Sequence, residues 1–385
     1  MSEVASKVPQ LRFPEFSGDW EEKSVGDVLT IGSGRDYKHL NDGDIPVYGT
    51  GGYMTSVDNF LYDGESVCIG RKGTIDKPVL INGKFWTVDT LFYTHSFVGL
   101  LPKFLFPIFK RINWKKYNEA SGVPSLSKST IEKIKLNLPL KVEQQKIAAF
   151  LTAVDNKIEQ LSKKQALLGE YKKGLMQQIF SQIIRFKKDD GSEFPDWEEK
   201  KLGDVVELKH GYQFRSNDFT KSGLAIIKIS NVIGASLSLD DLSFIDKERY
   251  SEFESFEIHN GDILMSLTGN IGRVVEVESL PFKAIQNYRV GKFVPVNSKL
   301  EKSFLKYLLI TDMVFGRFGQ LSNQSAQANF GKQDMGKIKV KFPSLPEQTK
   351  IANFLSSIDN KIEQVGKQLD ESKQFKKALL QQMFV

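Results

Sequence analysis

The sequence is poor in cysteine, with Cys68 as the one thiol among 385 residues. A single cysteine excludes an internal disulfide framework and suits a reducing compartment. No apolar run approaches the roughly 20 residues that a membrane-spanning helix needs. The opening residues MSEVASKVPQ also lack the apolar centre of a signal peptide. We therefore expect a soluble, cytoplasmic protein.

Motifs of common enzymes are missing as well. The sequence has no NPPY-like or FxGxG stretch of an amino-methyltransferase, and no segment matches GxxxxGK[ST]. The histidines are scattered without metal-ligand spacing and are best interpreted as structural or surface residues: His39, His95, His210 and His259. Glu-Glu-Lys at 21–23 and 198–200 fits the loose ExK pattern of some nucleases, but it lacks a suitably placed acidic partner. It is more simply part of a domain-opening helix or turn, so we predict no catalytic residues, no metal and no cofactor.

Charge of one sign is only slightly in excess. Lys and Arg number 53 against 47 Asp and Glu, which gives a net charge of +6 and a pI near 9.0. This balance is compatible with a nucleic-acid partner but is also common among ordinary globular proteins. Apolar residues make up 40% of the chain and aromatic residues 11%, which is ample for packed cores. The length suffices for two globular units.

The sequence does contain an internal repeat. EQQKIAAFLTAVDNKIEQLSKK (143–164) matches EQTKIANFLSSIDNKIEQVGKQ (347–368) at 14 of 22 positions, with an offset of 204. The phrase DWEEKSVGDV (19–28) returns as DWEEKKLGDV (196–205), with an offset of 177. The segments between these phrases look unrelated at most positions. Repetition on this scale predicts two copies of one structural unit.

Both copies of the longer phrase predict long helices. Apolar residues recur at alternating steps of four and three over about five heptads, which is the pattern of a coiled-coil seam. The seam of the first copy comprises Ile147, Leu151, Val154, Ile158, Leu161, Leu168, Leu175 and Ile179. The seam of the second copy comprises Ile351, Leu355, Ile358, Ile362, Val365, Leu369, Leu379 and Met383. Two separate amphipathic helices on separate cores are the alternative, but matching seams favour mutual, antiparallel packing.

The segment that leaves the first helix, QIIRFKKDDGSEFPDW (182–197), corresponds to QLRFPEFSGDW (10–20) near the start of the chain. We therefore predict an α+β fold in which two globular α/β domains are separated by a pair of long antiparallel coiled-coil helices, pseudo-twofold and nearly cyclic. The predicted boundaries are an N-terminal segment that completes the cycle (1–20), a first domain (21–142), a first spacer helix (143–181), a linker (182–197), a second domain (198–346) and a second spacer helix (347–385).

Two glycine-rich segments of the first domain carry polar side chains. IPVYGTGGYM (45–54) predicts a strand that runs into a turn, and SVCIGRKGTI (66–75) predicts a strand, a turn and a second strand. Gly70 and Gly73 permit close approach to a phosphate, and the basic pair at the tip suits a phosphate or a guanine edge. A plain surface hairpin is the alternative. The candidate binding residues are Tyr48, Thr50, Tyr53, Arg71, Lys72 and Thr74.

The second domain places a similar loop at DILMSLTGNIGR (262–273). LAIIKISNV (224–232) takes the place of IPVYGTGG, and AIQNYRVGK (284–292) takes the place of WTVDTLFYT. The scaffold is thus shared while the loop chemistry differs, as two readers of two different short sequences would require. The candidate binding residues are Lys209, Gln213, Arg215, Ser266, Thr268, Asn270 and Arg273.

Together these features resemble the specificity subunit of a type I restriction–modification system over essentially the whole chain. The resemblance depends on the doubled EQxKIAxFLxxxDxKIExx helices, the IxKIKxxxP phrases before them, the paired DWEEK openings, and the YGTGGY and IGRKGTI segments. It implies that the two domains are target recognition domains, each reading half of a bipartite double-stranded DNA site. It also implies that the paired helices set the distance between the two domains and help to recruit two methyltransferase subunits.

The same resemblance implies an endonuclease/translocase subunit in the complete complex, and it implies that adenine methylation and ATP-dependent cleavage belong to that complex rather than to this chain. Two other classes of function remain open. The chain is alternatively a coiled-coil-spaced binding module for another polymer such as carbohydrate, or an enzyme whose site the sequence does not reveal.

Overall fold

The computed structural model describes residues 8–233, 236–269, 271–323 and 332–385. The chain divides into two compact units. Unit 1 consists of Met1–Lys163 and Gly366–Val385, and unit 2 consists of Lys164–Val365. Within the described ranges, no helix combines the length and the apolar character needed to cross a membrane.

Unit 1 contains two four-stranded sheets and one two-stranded sheet. Its strands are β1 (Glu21–Ser24), β2 (Thr30–Ser33), β3 (Asp42–Gly49), β4 (Gly52–Val57), β5 (Tyr62–Asp63), β6 (Ser66–Gly70), β7 (Val79–Ile81), β8 (Lys84–Thr87), β9 (Leu91–His95) and β10 (Lys135–Leu138). Its helices are α1 (Val25–Val28), α2 (Pro102–Arg111), a 3-10 turn (Trp114–Tyr117), α3 (Lys128–Glu132) and the first part of α4 (Lys141–Phe180). The sheet orders are β2-β9-β6-β7, β4-β3-β8-β5 and β1-β10.

The central strand β6 explains how unit 1 packs. Every residue of its sequence SVCIG is buried, as expected for a strand covered on both faces rather than one that alternates between core and solvent. In its antiparallel ladder with β9, Ile69 lies opposite Phe92 and Gly70 lies opposite Leu91. Strand β3 runs parallel to β8, so the loops that follow these strands emerge at one edge. The first set of candidate residues lies at the end of β3, in the turn into β4, and in the segment that follows β6.

Unit 2 repeats this arrangement with extra elements. Its strands are β11 (Glu198–Lys201), β12 (Val206–His210), β13 (Phe219–Thr220), β14 (Leu224–Ile227), β15 (Val232–Ile233), β16 (Ser236–Leu237), β17 (Ser243–Ile245), β18 (Glu257–Ile258), β19 (Ile263–Ser266), β20 (Val274–Glu276), β21 (Ala284–Gln286), β22 (Val290–Pro295) and β23 (Lys339–Phe342). Its α-helices are the last part of α4, α5 (Leu202–Val205), α6 (Tyr250–Phe253), α7 (Lys302–Leu309), α8 (Asp312–Asn323), α9 (Lys332–Met335) and most of α10 (Leu345–Gln382). Its 3-10 turns are Ser216–Asp218, Ile229–Asn231, Lys247–Arg249 and Glu254–Phe256.

The sheets of unit 2 follow the same plan as those of unit 1. The order β12-β22-β19-β20 corresponds to β2-β9-β6-β7, and β14 runs parallel to β21 as β3 runs parallel to β8. The prediction that LAIIKISNV and AIQNYRVGK replace IPVYGTGG and WTVDTLFYT is therefore confirmed at the level of strand pairing.

In unit 1 the first part of α4 packs against the last part of α10. Lys376 forms an ion pair with Asp155. Glu143 near the start of α4 and Phe384 after the end of α10 both contact the Trp20 ring. Residue numbers therefore rise along one segment as they fall along the other, so the segments are antiparallel. Apolar residues of both segments lie in one core cluster: Ile147, Leu151, Leu379 and Met383.

In unit 2 the last part of α4 and the first part of α10 are also antiparallel. Lys172 forms an ion pair with Asp359, and Arg185, which follows α4, pairs with Glu347 at the start of α10 at 2.9 Å. The heptad pattern is wrong at one position, because Met176 is buried while Leu175 packs at the margin of the core. A straight helix drifts by about 20° per heptad relative to a strict seven-residue repeat, which accounts for the change of face.

Two local predictions need correction. Residues 71–75 form no second strand after β6, because the segment pairs with residues 124–126: Gly73 N donates to Pro124 O at 2.8 Å. The strand that folds back on β6 is β7. The Glu-Glu-Lys phrases form strands β1 and β11, which pair with β10 and β23, rather than a helix or a turn. The adjoining Trp20 and Trp197 are 2% and 8% exposed, so they anchor the start of each domain to its core.

Candidate nucleic-acid interface

The first candidate surface, here the unit 1 loop cluster (residues 48–54, 70–75 and 87–91), lies where β3, β6 and β8 end. A Cβ placed on Gly73 would lie 3.7 Å from Thr50 Oγ1, so the two predicted loops are neighbours. Val88 N donates to Tyr48 O at 3.0 Å, and Arg71 N donates to Thr90 O at 2.7 Å. The loop between β8 and β9 thus joins the other two. The sequence prediction that these residues serve one surface is consistent with this geometry.

The backbone at the tip of this cluster needs glycine. A Cβ on Gly70 would lie 2.1 Å from Thr74 O, and Gly73 has a φ of +85°. Either position would therefore be strained by a larger residue. The tight turn holds Arg71 and Lys72 beside Thr90, to whose carbonyl both backbone N–H groups donate.

The side chains of the cluster differ in availability. Lys72 is exposed, and Tyr53 is 64% exposed. Arg71 is half-buried, with its guanidinium carbon 5.8 Å from the centre of the Phe92 ring. Tyr48 is half-buried and meets Tyr53 edge to face at 6.4 Å. The surface is therefore a mixture of cationic, aromatic and hydroxyl groups suited to phosphates and base edges.

The corresponding unit 2 loop (residues 267–273) is held in the same way. Leu267 N donates to Arg289 O at 2.9 Å, as Arg71 N does to Thr90 O. Ser266 is 2% exposed, and its Oγ accepts from Arg273 N at 3.2 Å. Ser266 is therefore enclosed in this structure, since all four residues of β19 are buried, and its hydroxyl braces the loop from inside.

The other predicted residues of this loop differ among themselves. Arg273 is half-buried, and its Nη1 lies 3.4 Å from Val232 O. Thr268 is partly exposed as a residue, although its Oγ1 is buried without a hydrogen-bond partner. Asn270 lies outside the described residues.

The remaining candidates of unit 2 lie at the end of β12 and on the segment that follows it. Lys209, Gln213 and Arg215 are all exposed. Gln286 Nε2 donates to Lys209 O at 2.8 Å, which places Lys209 beside the loop between β21 and β22. Arg215 directly precedes the 3-10 turn Ser216–Asp218. Its backbone N–H group, together with the Arg249 guanidinium, holds the pKa of the Asp218 carboxyl below its usual value.

Sequence reasoning missed two residues of unit 2, Tyr288 and Arg289. They occupy the loop between β21 and β22, where Tyr288 N donates to Tyr212 O at 2.9 Å. Arg289 is exposed, and its Nε donates to Tyr288 Oη at 2.6 Å. The available signal was the aromatic and basic pair in AIQNYRVGK, between two apolar strands.

No three His, Cys, Asp or Glu side chains converge in the way a metal site requires, in the part of the chain that the structure describes. Cys68 is buried in β6, and burial raises the pKa of its thiol to about 12. That thiol is therefore protonated at neutral pH and is not an activated nucleophile.

Comparisons with known proteins agree on one family. The family model for the type I restriction modification DNA specificity domain matches residues 17–168 and again residues 195–372. The specificity subunit of type I restriction enzyme MjaVIII from Methanocaldococcus jannaschii is 27% identical, over 96% of this chain and 92% of that protein. The EcoBI specificity subunit from Escherichia coli is 23% identical, over 80% of this chain and 69% of that protein.

A solved structure shows the same fold. The S subunit of a type I restriction–modification system from M. genitalium aligns with a TM-score of 0.66 at 16% identity, over 98% of this chain and 99% of that chain. The two family matches together cover most of the sequence, and each contains one loop-bearing domain and much of one long helix. The chain therefore belongs to the family of type I restriction–modification DNA specificity subunits.

Proposed function

We propose that each unit of this DNA specificity subunit reads one half of an asymmetric bipartite site in double-stranded DNA. The observation that carries the proposal is a common strand framework with different side chains at matched loop positions. The residue after β6 is Arg71 and the residue after β19 is Leu267, although both backbones make the same hydrogen bond. The carbonyl that accepts this bond belongs to Thr90 in unit 1 and to Arg289 in unit 2. Side chains of different hydrogen-bonding capacity on one framework favour different bases.

The proposed division of labour within each loop follows from exposure and charge. Exposed lysines such as Lys72 and Lys209 suit phosphate contacts, which fix position without reading sequence. Half-buried arginines such as Arg71 and Arg273 have fewer accessible orientations, and a guanidinium with a fixed direction suits bidentate contact with a guanine edge. The exposed Tyr53, Gln213 and Arg215 and the half-buried Thr50 and Thr74 complete the proposed surfaces.

We further propose two methyltransferase subunits as partners, one for each unit. In unit 2 a groove of 680 Å³ runs beside the last part of α4, and in unit 1 a groove of 470 Å³ runs beside the last part of α10. Their linings share residues at the offset of 204, namely Lys172, Lys173, Met176 and Gln177 in unit 2, and Lys376, Lys377, Leu380 and Gln381 in unit 1. Two equivalent surfaces support two copies of one partner. An endonuclease/translocase subunit would complete the restricting complex in the cytoplasm.

A salt titration tests the proposal against binding of an uncharged polymer. The target is first identified by sequencing methylated adenines in cells that express the whole system. The chain with its methyltransferase partners should then bind a duplex of that sequence tightly, and the affinity should fall steeply between 50 and 200 mM salt because counterions are released from phosphates. Affinity that is insensitive to salt, or equal for a scrambled duplex, would contradict DNA reading.

A second assay tests whether this chain has an activity of its own. The purified chain, free of partners, is incubated with the cognate duplex and S-adenosylmethionine. We expect no methyl transfer and no cleavage by the chain alone, and we expect methyl transfer once methyltransferase subunits are added. Robust methylation by the chain alone would show that it is an enzyme.

A further inference from the structure

A segment that the sequence did not single out lies directly against the unit 1 loop cluster. Residues 118–126, here called the companion loop, pair with the tip that carries Arg71 and Lys72. Lys72 and Ser125 form an antiparallel bridge, Gly73 N donates to Pro124 O at 2.8 Å, and Leu126 N donates to Arg71 O at 2.9 Å. These contacts fix the companion loop beside the proposed base-reading loop.

The companion loop is also braced internally. The Asn118 side chain closes it, because Oδ1 accepts from Ser125 N at 2.8 Å and Nδ2 donates to Ala120 O at 2.7 Å. The Glu119 carboxylate accepts from the hydroxyl groups of Thr130 and Ser127. These two bonds hold the pKa of Glu119 below its usual value, so at neutral pH this carboxyl is an anionic acceptor that ties the loop to the start of α3.

The tip of this braced loop is uncharged and partly apolar. Residues 121–124, Ser-Gly-Val-Pro, are all exposed, and Val123 is 66% exposed. A basic tip would bind phosphates regardless of sequence, whereas an isopropyl group has no favourable contact with a phosphate. In the major groove the apolar group that distinguishes base pairs is the 5-methyl of thymine.

We infer that Val123 reads a thymine methyl group in the half-site bound by unit 1, next to the base pair contacted through Arg71. The companion loop then makes unit 1 a two-part reader, in which one loop supplies polar donors and the other supplies a methyl contact. Asn118 and Glu119 act as positioning residues, because they touch the loop and not the DNA. The inference rests on the proposed function of unit 1.

The test uses deoxyuridine, which differs from thymidine only by the missing 5-methyl group. Each thymidine of the half-site assigned to unit 1 is replaced in turn, and the dissociation constant is measured for the complex with methyltransferase subunits. Wild-type protein should bind one of the substituted duplexes about fourfold more weakly, the value expected for one lost methyl contact. For the Val123→Ala variant, replacing the same thymidine with deoxyuridine should not change the dissociation constant, because the valine methyl groups that contact the thymine methyl are already absent.

Val98→Ala is the matched control, because Val98 is 67% exposed in the same unit but lies on another loop, where its N–H donates to Val28 O. This variant should keep the wild-type ratio between the dissociation constants for the deoxyuridine and thymidine duplexes, here called the thymine-to-uracil ratio. Asn118→Ala should reduce that ratio while leaving binding of the other half-site unchanged. Thermal unfolding should confirm that Val123→Ala, Val98→Ala and Asn118→Ala are all folded.

Two failures can be told apart. If the wild-type complex does not prefer its cognate duplex over a scrambled one, the proposed function fails and this inference fails with it. If the complex does prefer the cognate duplex, but no thymidine in that half-site is sensitive to uracil, or Val123→Ala keeps the wild-type ratio, the role of Val123 is overturned while the proposed function stands.

Discussion

Replacing Arg12 with alanine should strongly destabilise unit 1. The Arg12 guanidinium makes a bidentate contact with the Glu143 carboxylate, at 2.7 Å from Nε to Oε1 and 2.8 Å from Nη2 to Oε2. The Glu143 side chain is 2% exposed and that of Arg12 is 13% exposed. Trp20 Nε1 also donates to Glu143 Oε1, at 3.3 Å. Removal of Arg12 would leave a carboxylate buried with one neutral donor.

The expected cost follows from that burial. Breaking a buried ion pair by removing one partner costs about 3–5 kcal/mol, because the remaining charge is uncompensated. For a unit of 150–250 residues each kcal/mol lowers the melting temperature by roughly 2–4 °C, so Arg12→Ala should lower it by about 6–20 °C. Removing both charges in Arg12→Met/Glu143→Gln should recover most of this loss, since glutamine retains an acceptor for the Trp20 N–H group.

Scanning calorimetry on the full chain measures the effect, and Lys23→Ala is the control. Lys23 lies 3.1 Å from Glu21 in an exposed pair, and exposed pairs of this kind contribute little to stability. The reasoning is refuted if Arg12→Ala lowers the free energy of unfolding by less than about 1 kcal/mol, or if the double variant is no more stable than the single one.

Three further predictions concern the proposed surfaces and the thiol. Arg71→Ala should weaken binding by roughly 1–3 kcal/mol and relax specificity at one base pair of one half-site; equal weakening on all sequences would make Arg71 a phosphate contact instead. Arg289→Ala should relax base specificity in the other half-site. A change of specificity in the half-site affected by Arg71→Ala would contradict the assignment of loops to half-sites. Cys68 should resist alkylation at pH 8, because burial raises the pKa of its thiol to about 12, and it should react after denaturation in guanidinium. Rapid alkylation of the folded protein would contradict the buried position.

The framework of this protein was predictable because repetition and periodicity are local properties of the sequence. The doubled EQxKIA phrases predict α4 and α10, and the glycine-rich segment IPVYGTGGYM predicts strand β3 and the turn that follows it. Matching apolar runs identified the equivalent strands of the two units. The heptad pattern failed at Met176 only because a real helix departs from a strict seven-residue period.

The site was harder to predict because its geometry depends on contacts between distant residues. The burial of Ser266 could not be predicted, since an apolar run does not reveal that the polar residue at its end is buried too. The companion loop was missed because the bridge between Lys72 and Ser125 joins segments with no shared motif. Glu143 likewise looks like an ordinary polar residue of a first helical turn, whereas its partner Arg12 lies 131 positions earlier.

The central claim is that each unit reads its own half-site, and a domain exchange tests it most directly. Residues 29–142 are replaced with the equivalent domain of a family member that has a different target, and the hybrid is expressed with its methyltransferase and restriction partners. Methylated adenines are then sequenced across the host genome. The account predicts a new bipartite target in which one half-site has changed and the other is the original. A target that changes in both halves, or in neither, would contradict it.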